Sequence, residues 1–181
     1  MIKTVALPIV ILLLFISLKS AGKDWLAYKP EYSKCSVLMP GQPQKKEQSV
    51  NTGAGNVALE LFMYQPEQGA DDNYLYMISY ADLPIDQISS DSTGLINGFL
   101  DNAREGAVNN VHGKLMTETA IKYQKYPGRE MRIDFQNGTA IIQSRIYLVK
   151  NRLYTLQVII PPSKDLNASV NKFLDSFSLT E

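Results

Sequence analysis

The sequence predicts an α+β protein: a central antiparallel sheet with helices packed on both faces, an α/β/α sandwich. Three observations carry this. Segments of alternating polarity, bounded by turn residues, fill most of the chain. One stretch near the middle and one at the end switch to helical spacing. The order is strands, a helix, more strands, a helix, which is not the strand–helix alternation of a parallel fold.

The elements follow in order. Residues 23–31 read as a lead-in with Trp25 and Tyr28 available to pack. Residues 32–39 read as a strand with Cys35, Val37 and Met39 on one face, stopped by Pro40-Gly41-Gln42-Pro43. Residues 45–52 make a polar, exposed strand, and residues 51–56 a glycine-containing turn. In residues 56–64 Val57, Leu59, Leu61 and Met63 face one way, and Ala58, Glu60, Phe62 and Tyr64 the other. A polar loop leads to an aromatic-rich strand at 74–81.

Leu95, Ile96, Phe99, Leu100, Ala103 and Ala107 then recur at helical spacing. A helix over 93–109 follows, capped by Asp91 or Ser92 and broken by His112-Gly113. Residues 115–125 are strand-like, and Pro127-Gly128 is expected to turn the chain. Asn137-Gly138 is a strong hairpin signal, because both central residues of a type I′ turn need positive φ. That turn sets Ile133 opposite Ile142, Phe135 opposite Ala140 and, on the other face, Glu130 opposite Arg145. A second tight turn at Lys150-Asn151 sets Leu148 opposite Leu153 and Tyr147 opposite Tyr154. Pro161-Pro162 ends the sheet. Residues 163–176 read as a closing helix with Leu166, Val170, Phe173 and Leu174 inward.

The length of 181 residues fits one domain, residues 23–181, behind an N-terminal segment. Lys3 gives that segment a positive start. Residues 5–18 are apolar apart from Pro8 and Ser17: short for a transmembrane helix, suited to a signal-peptide core. Ser20-Ala21-Gly22 places cleavage after Gly22; retention of residues 1–22 as an anchor is the alternative. The domain is therefore expected outside the cytoplasm, periplasmic or anchored facing the periplasm. Cleavage removes Lys3 and Lys19 and leaves a formal charge of about −2. With Lys+Arg and Asp+Glu at 18 each, nothing points to nucleic acid. Membrane attachment is expected only through residues 1–22.

Cys35 is the single cysteine, so no internal disulfide forms, and its strand position makes it a buried, inert thiol. It is not placed as a lipoprotein cysteine. His112 is the single histidine, so no Cys/His zinc set exists, and any Ser-His-Asp triad would have to use this helix-exit residue. Asp71-Asp72-Asn73 lacks the EF-hand pattern and reads as a solvated loop. No carboxylate pair stands out for glycoside hydrolysis. Neither a metal nor a cofactor is expected.

The segment from Tyr32 to Pro43, Tyr126-Pro-Gly-Arg-Glu130, Arg145-Ile-Tyr147, Asn151-Arg-Leu-Tyr154 and Lys172-Phe-Leu-Asp-Ser-Phe177 resemble the PsbP-like superfamily, in particular its exported bacterial members. The resemblance spans most of residues 32–177. It implies the sandwich predicted above, and a non-enzymatic habit, since better-known members of that fold bind proteins. Its motifs are turns and core positions and carry over no partner-binding residues. The bacterial source that the resemblance implies gives the sequons at Asn137 and Asn167 little weight, Asn137 being explained by its turn.

One face of the predicted meander concentrates chemistry: Glu130, Arg132, Arg145, Tyr147 and Tyr154, among Leu156, Val158 and Ile160. Two uses are open. A carboxylate, two guanidinium groups and two phenols could grip an anionic or sugar-like ligand, or serve hydrolysis. Alternatively, a Glu130–Arg145 bridge fixes hairpin register beneath a helix. The leading expectation is a non-enzymatic envelope module that docks a protein partner on an exposed apolar patch.

Overall fold

The structure, a computed structural model, describes residues 24–52 and 55–181. The expected signal or anchor at 1–22 lies outside the described residues, as do residues 53 and 54 of the glycine-containing turn expected over 51–56. No described helix is long and apolar enough to cross a membrane.

Seven antiparallel strands form the main sheet: β3 (Gln44–Thr52), β4 (Gly55–Tyr64), β5 (Leu75–Asp82), β6 (Lys114–Tyr123), β7 (Tyr126–Phe135), β8 (Ala140–Val149) and β9 (Arg152–Ile160). Their spatial order is β3-β4-β5-β9-β8-β7-β6, so the polar strand β3 is one outer edge and β6 the other. A second sheet of three strands contains β1 (Leu26–Tyr28), β2 (Cys35–Met39) and β10 (Ser178–Leu179), with β2 central. Among the described residues two α-helices complete the set: α1 (Ile96–Asn110) and α2 (Ala168–Leu174).

Strand parity divides the core in two. Tyr147, Tyr154, Leu156, Val158 and Ile160 pack with Cys35, Val37 and Met39 of β2 and with Val170, Phe173 and Leu174 of α2. Residues of opposite parity, Met131, Ile146 and Leu148, pack with Leu100 of α1. The small sheet was not legible as such: β1 was read as a lead-in, and the pairing of β10 with β2 joins residues 142 positions apart, Ser178 with Ser36.

The meander register is as predicted. Glu130 faces Arg145, Ile133 faces Ile142, Leu148 faces Leu153 and Tyr147 faces Tyr154. The turn at Asn137-Gly138 differs in kind. Pairing stops at Phe135 and Ala140, and Gln136, Asn137 and Gly138 all take positive φ. A four-residue loop and a two-residue I′ turn centred on the same residues give the same register, so the error in turn type is silent.

Other boundaries shift for local reasons. Tyr32 and Lys34 have positive φ, so β2 starts at Cys35. Pro127-Gly128 lies inside β7, and the chain turns instead at Gln124 and Lys125, with Gln124 at positive φ. Helix α1 begins at Ile96 with no side-chain cap from Asp91 or Ser92, and Leu95 is 59% exposed. The closing helix is broken: Pro162–Lys164 makes one 3-10 turn, Leu166 takes φ 58° and is 71% exposed, and α2 starts only at Ala168.

Asn167 explains that restart. Its Oδ1 accepts from the backbone N–H of Ser169 (3.1 Å) and of Val170 (3.3 Å), a side-chain N-cap. Its amide also donates to Asn73 Oδ1 at 2.8 Å, and Asn73 returns a bond at 3.2 Å. Asn73 is buried and donates to Tyr76 Oη, which in turn donates to Asp71. The loop read as solvated is therefore a polar knot under the start of α2. Asn167→Ala should lose about 2 kcal/mol, one cap plus one buried amide pair, in equilibrium urea unfolding. Asn167→Asp, which keeps the cap, should lose about half of that.

Candidate functional site

Of the five residues singled out on the meander, Glu130, Arg132 and Arg145 join in one chain of hydrogen bonds, and Tyr147 and Tyr154 lie in the core. Glu130 and Arg132 on β7 pair across to Arg145 and Gln143 on β8. Arg145 Nε donates to Glu130, and Arg145 Nη1 donates to Asp175 Oδ1 at 2.6 Å. Glu130 Oε1 accepts from Gln143 at 3.1 Å, and Gln143 Oε1 accepts from Arg132 at 3.2 Å. Arg132 Nη2 donates to both oxygens of Asp165 at 2.7 Å. The result is a chain from Asp165 through Arg132, Gln143, Glu130 and Arg145 to Asp175. Asp165 precedes α2 and Asp175 is its C-cap, so the chain fastens both ends of α2 to the sheet. Burial works against the Arg145 charge, and the bonds to Asp175 and Glu130 outweigh it, so its pKa rises.

The two tyrosines belong to the core beneath. Tyr154 donates to the Ser33 carbonyl at 2.6 Å, and burial pushes its phenol up to about 12. Tyr147 stacks on Phe177 at 5.4 Å with 12° between the ring planes. Any ligand on this face must displace Asp165 or Asp175 from a guanidinium group.

The remaining motif residues have structural partners too. Arg152 makes a bidentate pair with Asp82 (2.6 Å each), donates to the Tyr32 carbonyl and lies over the Tyr80 ring at 4.6 Å. Lys172 lies over Trp25 at 4.7 Å. Ser176 accepts from Leu38 N–H at 2.8 Å, stitching the C-terminal segment to β2.

A second charged cluster, on the α1 side, was not anticipated. Glu118 on the edge strand β6 accepts from Arg129 at 3.0 Å and from Arg104 of α1 at 2.8 Å. No local signal joins these residues: the register of β6 with β7 brings Arg129 to Glu118, and the packing of α1 brings Arg104.

His112 sits just past α1 at φ 48°, its N–H bonded to the Asn109 carbonyl at 3.0 Å, a helix-exit position. Among the described residues no three His, Cys, Asp or Glu side chains group closely enough to hold a metal ion.

Cys35 is buried, and burial pushes its thiol from 9.0 up to about 11, with Ser33 and Arg152 opposing. Two pKa units remove about a hundredfold of thiolate, so native chain at pH 8 should react with iodoacetamide at least about that much more slowly than urea-unfolded chain. Because the folded pKa is raised, the stabilisation is fully present below about pH 9 and is lost as pH rises toward 11. Cys35→Ala should flatten that part of the stability–pH curve.

Two cavities accompany these clusters. One, about 190 Å³, lies between α1 and the sheet and is lined by Ala103, Ala107, Ser144, Thr155 and Gln157 among others. A shallower groove of about 550 Å³ runs past Trp25, Asp72, Lys164 and Lys172. Its charges are engaged: Lys164 pairs with Asp72 at 3.2 Å, and Lys172 lies over Trp25.

Fold and site together define a class: an antiparallel α+β domain of PsbP-like fold whose motif residues fasten its layers. The solution structure of cyanobacterial PsbP (CyanoP) from Synechocystis sp. PCC 6803 is similar to this chain, with a TM-score of 0.53 and 12% sequence identity over 89% of this chain and 95% of that one. At that identity the likeness is one of fold. No family model matches the sequence. No curated protein matches it either.

Proposed function

We propose that this chain is a non-enzymatic, exported accessory module of the cell envelope that works by docking a protein partner. The layering that fits this reading is a sheet with helices on both faces: α1 over part of one, α2 with the small sheet over the other. The observation that carries the reading is the part of the α1 face that α1 does not reach. Leu61 and Met63 of β4, Leu75 and Met77 of β5 and Ile159 of β9 are half-buried there and belong to neither core cluster. Register makes them one surface, with Met63 beside Met77 and Leu75 beside Ile159. A contiguous apolar patch of this kind supports a protein interface, and methionine adapts to varied partners. The apolar segment at 5–18 supports export.

The test is capture from intact envelopes by the full-length chain with a C-terminal tag, with mass spectrometry of bait and prey. The expected result is a bait processed after Gly22, or retained in the membrane through residues 1–22, with a stoichiometric protein partner. Met63→Glu/Met77→Glu should abolish that partner while keeping a cooperative thermal transition. A bait found in the cytoplasmic fraction, or a partner indifferent to the double substitution, would overturn the reading.

A further inference from the structure

We propose that the cleft between α1 and the sheet is a binding site for a small, neutral organic molecule with an apolar body and one or two hydrogen-bonding groups. The site is separate from the Glu130–Arg145 face, and the inference does not rest on the partner-docking reading.

The cleft exists because α1 presents alanine, at Ala103 and Ala107, where a larger side chain would close the gap. Its volume of about 190 Å³ exceeds the roughly 150 Å³ of an engineered apolar cavity that holds benzene. The side walls are apolar, with Met131, Ile133 and Ile146.

The floor is not. Ser144 is 2% exposed and lines the cleft, and its hydroxyl, which bonds no described residue, is open to the cleft. Thr155 and Gln157, from the neighbouring strand β9, are placed beside it, with Gln157 directly opposite Ser144. No described residue bonds their side chains either. Polar groups that open onto an apolar recess are satisfied there by water or by a ligand. Here three neutral hydrogen-bonding groups converge on one apolar recess, the usual composition of a small-molecule site.

Charge narrows the class. None of the lining residues is ionisable. A charged ligand would lose its water with no counter-charge to receive it, whereas a neutral one loses little. Size limits the ligand to about one ring with a short substituent.

Phenol and benzyl alcohol are suitable probes, with benzoate and benzylamine as charged counterparts of the same size. Each is titrated into the full-length chain carrying isotope-labelled alanine and isoleucine methyl groups, followed by NMR. Saturable shifts of the Ala103, Ala107, Ile133 and Ile146 methyl signals are expected with the neutral probes. The charged probes should bind at least about tenfold more weakly. Ser144→Ala, which leaves the walls intact, should weaken phenol by about tenfold, the value of one hydrogen bond. Ala107→Leu should fill the recess and remove the shifts. The proposal is overturned if the neutral probes give no saturable shift, so that water alone occupies the cleft. It is equally overturned if benzoate binds as well as phenol, or if the shifts survive both substitutions.

Discussion

Gly128→Ala should destabilise the protein by about 3 kcal/mol or more, one of the two largest effects expected of any single change here. The reason is close approach of two backbones, not an unusual φ. A Cβ at position 128 would lie 2.2 Å from the Ile146 carbonyl oxygen and 2.7 Å from a ring carbon of Tyr147. The carbonyl belongs to β8, which is held on both sides, by β7 and by β9. It cannot rotate away as a side-chain tip would, so the two strands must part or the ladder must break. The Tyr147 ring is likewise fixed, between Tyr123 and Phe177. Equilibrium urea unfolding with near-ultraviolet circular dichroism checks this, and Gly106→Ala is the matched control. Gly106 lies inside α1 with nothing within 4 Å of an added Cβ. That substitution should stabilise by about 0.5–1 kcal/mol, because alanine gives up less backbone entropy in a helix than glycine does. Opposite signs for one chemical change would separate steric exclusion from backbone entropy.

From sequence, Pro127-Gly128 is expected to turn the chain, because that dipeptide usually marks a turn. The need for a glycine came instead from a strand 18 residues away, which no local pattern reveals. Strand alternation and the meander register were legible because both are local: parity repeats every two residues, and a tight turn fixes every pair behind it. The helix ends were less so. Asn167, the N-cap of α2, lies inside the segment 163–176 that is expected as one unbroken helix. Of the site, the five meander residues were found together, since parity alone collects them. Their partners Asp165 and Asp175 were not, because they come from the α2 segment, whose placement is set by tertiary packing. The Ser144 cleft was illegible for the same reason: its emptiness depends on where Ala103 and Ala107 come to rest.

Arg145→Met should cost about 2–3 kcal/mol, below the roughly 3–5 kcal/mol of breaking a fully buried ion pair, because the Arg145 and Glu130 side chains keep 17% and 27% exposure. The loss has two parts. Glu130 is left with Gln143 as its remaining neighbour in the chain, and Asp175 loses the bond that fastens the end of α2 to the sheet. Glu130→Gln removes the charge while keeping an acceptor and should cost less, about 1–2 kcal/mol. The double variant should be more stable than the sum of the two losses predicts, with a coupling of at least about 1 kcal/mol, since the second substitution removes a charge the first left stranded. Arg132→Met, which frees Asp165 at the other end of the chain, should behave like a weaker copy of Arg145→Met. These measurements bear directly on what the face is for. Residues held in place for a ligand tend to be stability liabilities, and replacing them is often neutral or stabilising. A pair that fastens a helix to its sheet gives the opposite sign. Destabilisation by Arg145→Met with strong coupling to Glu130 therefore assigns the face to architecture, and a neutral or stabilising Arg145→Met would return it to ligand chemistry.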